Sequence, residues 1–129
     1  MANIITLVDE NSANVDFHEL GMAAADGRLV LSDPLQPFEA PKLLTRAVTT
    51  VGKGPAAVIK AVNRLDHTII DPDDGVTPRK LACYRCWVMP ITGVIIADLW
   101  HITNLEMSSF PNSGEDPEDK LGMFLKGIF

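Results

Sequence analysis

The chain has 129 residues, 47% hydrophobic and 22% charged, with 17 acidic against 11 basic side chains and a net charge of −6. That length suits one domain with a real core, and the composition excludes a disordered or low-complexity chain. The acidic balance, with no Lys/Arg stripe in any predicted element, argues against a nucleic-acid partner, and the longest apolar run, around residues 94–96, is far too short to span a membrane.

The opening MANIITLVDENS has no basic region ahead of an apolar run, so no targeting signal is read. Two cysteines cannot form a disulfide scaffold, and a reducing, cytoplasmic setting is expected. NIITLV at 3–8 is rich in β-branched side chains and reads as a short strand, with a buried helical turn equally allowed for want of alternation. After the polar DENSAN, VDFHELG reads as a turn of helix closed by Gly21, with Phe17 and Leu20 on one face. Asp26-Gly27 then marks a tight hairpin between strands at 21–25 and 28–32.

Pro34, Pro37 and Pro41 forbid a long regular element before Lys42. Pro41 suits a first helical turn, and Leu43, Leu44, Ala47 and Val48 follow at helical spacing. Gly52-Lys53-Gly54-Pro55 breaks that helix, and Ala56, Val58, Ile59, Val62 and Leu65 predict a second one. HTII at 67–70 is a short strand and DPDDG a solvated loop.

Residues 78–105 form the longest nearly uncharged stretch and read as one long antiparallel hairpin, with arms at 80–89 and 94–102 and a turn at 90–93. Neither face of it alternates with polar residues, so both faces want cover, from the helices at 41–66 on one side and from a terminal segment or a second subunit on the other. Asp116-Pro117-Glu118-Asp119 supplies a cap, a first-turn proline and acids for a C-terminal helix whose Leu121, Phe124, Leu125 and Ile128 share a face.

This order, with DGRLVLSDPL at 26–35 and GVIIADLWHITNL at 93–105, resembles the PAS domain family. The first match is similar to that family's opening hairpin and the second to its closing strand, with His101-Ile102-Thr103 in place of an Asp-Ile-Thr pattern. GAF and roadblock types share a similar central sheet. The resemblance implies an α+β fold, a five-stranded antiparallel sheet with helices on one face. It divides the chain into an N-terminal extension (1–19), a PAS-like domain (20–105) and a linker with an amphipathic helix (106–129). It also implies a non-catalytic sensory or interaction module that dimerises or docks through its outer sheet face. In a second reading the module senses a small molecule, or haem, in a cavity between helices and sheet.

Site residues follow from these expectations. Trp87, Met89 and Leu99 are the expected cavity lining; Tyr84, Trp100, Phe124 and Leu125 the expected interface, with a second copy of the chain or another protein as partner. No cofactor is required by the sequence, and His67 is the metal or haem candidate by position only. Cys83-Tyr84-Arg85-Cys86 falls within a predicted strand, where three positions apart means opposite faces, so buried structural thiols are expected rather than a redox pair. A third reading, a small enzyme, would need Asp98 and His101 in one cleft; Asp98 is the odd carboxylate on an apolar predicted strand. Gly52-Lys53-Gly54 lacks the spacing of a phosphate-binding loop and reads as a turn between helices.

Overall fold

The computed structural model describes residues 4–19, 28–109 and 117–127. Within them lie strands β1 (Ile4–Val8), β2 (Asn14–Glu19), β3 (Arg28–Ser32), β4 (Lys42–Val51), β5 (Val58–Ile70) and β6 (Pro78–Pro90), then helices α1 (Ile96–Ser109) and α2 (Pro117–Leu125). All six strands form one sheet in chain order, each antiparallel to the next, so β1 and β6 are its edges. The chain divides into two compact units, Met1–Thr92 with the sheet and Gly93–Phe129 with the helices.

Opposed residues of an antiparallel ladder share a face, so the register sorts the side chains. One face carries the row Leu31, Leu44, Leu65, Cys83, followed by Leu29, Arg46, Asn63, Arg85. The core sits here. Leu31 and Leu44 are completely buried and pack with Phe17, while Ile5, Leu7, Val15, Leu29 and Leu65 close round them. Each such leucine contributes about 1.5–3 kcal/mol of burial. The other face carries Val30, Thr45, Arg64, Tyr84 in one row and Ser32, Leu43, Asp66, Ala82 in the next, with Lys60 and Lys80 further along. It is polar: the Arg64 guanidinium lies 5.7 Å from the Tyr84 ring centroid and its Nε donates to Asp66 at 2.9 Å.

The expected five-stranded sheet with helices on one face is therefore corrected to six strands in a simple meander. The predicted helices within 41–66 are β4 and β5. Their β-branched residues, Thr45, Val48, Thr49, Thr50 and Val51 in one and Val58, Ile59, Val62, Thr68, Ile69 and Ile70 in the other, lose rotamer freedom in a helix and pack well on a pleated surface. Pro55 heads only a short 3-10 turn, Gly54–Ala56, in the β4–β5 connection, and Gly52 supplies the positive φ of 89° which that reversal needs. Residues 14–19 form β2 in place of the expected helical turn.

The opposite error occurs at 94–102, where a strand was expected and α1 stands. The strand at 28–32 and a helix from Pro117 are present as expected, and of the two readings left open for 3–8 the strand stands, as β1. The hairpin turn at Asp26-Gly27, the strand at 21–25, Leu20 and Ile128 lie outside the described residues.

Candidate functional site

β6 is the sheet's open edge. It pairs with β5 along its whole length, Val58↔Pro90 to Ile70↔Pro78, and on its other side no strand stands among the described residues. In an edge strand alternate N–H and C=O groups point outward unpaired. Its first seven residues are all exposed, and Leu81, Tyr84 and Val88 present large apolar surfaces along the edge. Cys83 and Cys86 are also exposed, on opposite faces, which corrects the expectation of buried thiols.

The helical unit carries the second apolar surface. α1 begins with a reciprocal cap: the Ile95 N–H donates to Asp98 Oδ2 at 3.1 Å, and the Asp98 N–H donates to Ile95 O at 3.1 Å. The third residue of a helix reaching back to the cap in this way satisfies an orphan donor and places a carboxylate at the positive end of the dipole. So Asp98 is a helix starter, and His101 is exposed one turn along the same helix. Thr103, the buried polar residue of α1, donates to the Leu99 carbonyl at 2.8 Å. Ile96, Trp100, Ile102, Leu105 and Met107 on α1 and Leu121, Met123, Phe124 and Leu125 on α2 are exposed.

Two hollows lie in the core face of the sheet. The first, about 340 Å³, is apolar, with Leu7, Val15, Phe17, Leu65, Leu81 and Cys83 in its wall and Lys42 and His67 beside them. Burial and the neighbouring Lys42 charge hold the His67 imidazole below its ordinary range, against a smaller opposite pull from Asp33. His67 stands on β5, and among the described residues no group of three or more His, Cys, Asp or Glu gathers as a metal site would require. The second hollow, about 470 Å³, lies among Leu29, Arg46, Val48, Ala61, Asn63 and Trp87.

Of the expected cavity lining, Trp87 and Met89 are half-buried on the core face of β6, and Arg85 stands over Trp87 at 5.9 Å from the ring centroid. Leu99 belongs to α1, in the other unit. The four expected interface residues, Tyr84, Trp100, Phe124 and Leu125, are all exposed, spread over β6, α1 and α2.

Sequence reasoning passed over the β3–β4 loop, residues 33–41. Its Phe38 is 96% exposed and Leu35 89% exposed. The acidic β5–β6 loop was read as merely solvated, yet its own carboxylates fold it: Asp71 Oδ1 accepts the Asp73 N–H at 2.9 Å, Asp74 Oδ1 accepts those of Val76 and Thr77, and Arg79 returns to Asp71 at 3.1 Å.

No protein-family model matches the chain, and no curated protein matches its sequence. Solved structures do resemble it. A chain of the virus-like particle of Beihai levi-like virus 21 superposes with a TM-score of 0.70 at 11% identity, covering 100% of this chain and 96% of that one. The coat protein of bacteriophage EMS014 gives 0.57 at 14% identity, with 90% and 75% covered, and a chain of the virus-like particle of bacteriophage AVE015 gives 0.53 at 13%, with 73% and 66% covered. At these identities the likeness establishes a shared fold. That fold is not the PAS fold, so the PAS resemblance is overturned. The sensory module and its small-molecule and haem variants lose their ground with it; Asp98, the odd strand carboxylate of the enzyme reading, stands instead at the start of α1, where it accepts the Ile95 N–H.

Proposed function

We propose that this chain is the subunit of a self-assembling protein shell. The carrying observation is β6: a thirteen-residue edge strand whose cations, Arg79, Lys80 and Arg85, leave Leu81, Tyr84 and Val88 exposed along it, with no strand paired to its outer side among the described residues. Soluble monomers protect such edges by covering, shortening or charging them, because an open ladder recruits another chain. Two β6 edges meeting antiparallel about a twofold axis join two sheets into one and satisfy both rows of backbone groups.

The apolar surfaces support the same reading. The first hollow is lined by aliphatic side chains on the core face, and the helices expose Trp100, Leu105 and Phe124; helices of one copy laid on the core face of another remove both from water. The other face carries Thr45, Lys60, Arg64 and Lys80, with Tyr84 and Val88 exposed beside them on β6. The solved structures similar in fold are a coat protein and chains of virus-like particles, which supports this reading.

Expression of the full chain followed by sedimentation and negative-stain electron microscopy tests it. Closed particles with a paired chain as their smallest stable piece are expected; a monomer at high protein concentration would remove the proposal.

A further inference from the structure

Pairing through β6 limits itself, since a twofold contact uses the same surface of both copies and stops at two. A closed shell, the reading on which this inference rests, needs a second and different contact. We infer that the β3–β4 loop, residues 33–41, supplies it, with Leu35 and Phe38 seated on a further copy of this chain.

These two are the most exposed large hydrophobic side chains among the described residues, at 89% and 96%. The backbone that presents them is tied down. Asp33 is buried, its Oδ1 accepts the Leu35 N–H at 3.0 Å, and its own N–H donates to the Lys42 carbonyl at 3.1 Å. Gln36 N–H donates to Asp33 O, Ala40 N–H to Pro37 O, and Thr68 N–H of β5 to Pro41 O at 3.0 Å. Ala40 is buried and Pro34, Pro37 and Pro41 fix three φ angles. Two apolar side chains on a braced loop bind with little ordering cost.

Charge and area argue for another copy as the occupant. Beside Phe38 stands the exposed carboxylate of Glu39, and the core face of a copy offers the second hollow, where the cation Arg46 stands among Leu29, Val48, Ala61 and Trp87 with no carboxylate in the wall. An aromatic and an aliphatic side chain present on the order of 300 Å², well under the roughly 800 Å² per partner of a stable complex. Such a contact is too small to hold two chains alone and counts only when an assembly repeats it.

The test compares the wild-type chain with a Leu35→Ser/Phe38→Ser double variant by sedimentation velocity, with near-ultraviolet circular dichroism as the control for fold. The expected result is that the variant stays folded and paired while its particle fraction falls at least tenfold. Particles at wild-type yield would overturn the inference and leave the shell reading standing; a drop to monomers would overturn it too, by placing the loop in the pair. A wild-type chain that forms neither pair nor particle would overturn both. A photoreactive phenylalanine at position 38 gives an independent readout: in wild-type particles it should cross-link to another copy, and a cross-link confined to its own chain would refute the contact.

Discussion

Leu44 stands at the centre of the sheet, wholly buried between Leu31 on β3 and Leu65 on β5. Leu44→Ala should cost about 2–5 kcal/mol, the lost transfer energy plus a cavity that a four-strand neighbourhood cannot close, read as a fall in the denaturant midpoint. Asp33 is a different kind of buried residue. Its carboxylate is the acceptor that holds the β3–β4 loop, so Asp33→Ala strands the Leu35 N–H and should cost about 1–3 kcal/mol in the same measurement. His67 sets a pH response. Because its folded pKa lies below the unfolded one, the unfolded chain takes up the proton first as pH falls. Stability therefore holds above the ordinary histidine range and declines as pH drops from there towards the folded value. His67→Gln should flatten that decline, seen in unfolding midpoints taken at about pH 8 and about pH 5. The effect is small, since the ring is far from fully buried. A variant as pH-sensitive as wild type would show that another group governs it.

At the scale of elements, the helix α1 depends on its first turn. Asp98→Ala removes both the reach back to the Ile95 N–H and the charge at the positive end of the dipole, and should cost about 0.5–2 kcal/mol with loss of helical signal in far-ultraviolet circular dichroism. The sequence held this clue, an acid three residues after a start, but the short, mostly apolar stretch from Val94 to Ile102 fits a strand and a buried helix equally well by periodicity. The mirror error at β4 and β5 has the same root. Val62 and Leu65 stand three apart, as on a helix, yet in the sheet they fall on opposite faces, Val62 beside Ala47 and Cys86, Leu65 beside Leu44 and Cys83. What decides between the two is the pair of flanking strands, β6 along the whole of β5 and β4 along Val58–His67, and that partner choice is tertiary. Turns were more legible. The DPDDG loop is where composition placed it, because Asp71 and Asp74 bond their own backbone two and three residues on, an interaction that needs no distant partner.

For the whole molecule, the chief prediction concerns the β6 edge. Tyr84→Lys with Val88→Lys places two added charges along the open strand, the device by which natural edges resist pairing, and should abolish both pair and particle without loss of the folded signal of the sheet. Light scattering beside circular dichroism checks it. Retained pairing would mean that the edge is not the contact.

The sequence by itself determined the acidic β5–β6 loop, a helix from Pro117 and the strand arm within β6, because each follows from local chemistry or from composition. Only the tertiary structure decided that β4 and β5 are strands, that Asp98 caps a helix, and that Lys60, Arg64 and Lys80 share one face while Leu29, Leu31, Leu44 and Leu65 share the other. Those facts belong to the register between strands distant in sequence, and a one-dimensional pattern does not record which residue stands opposite which.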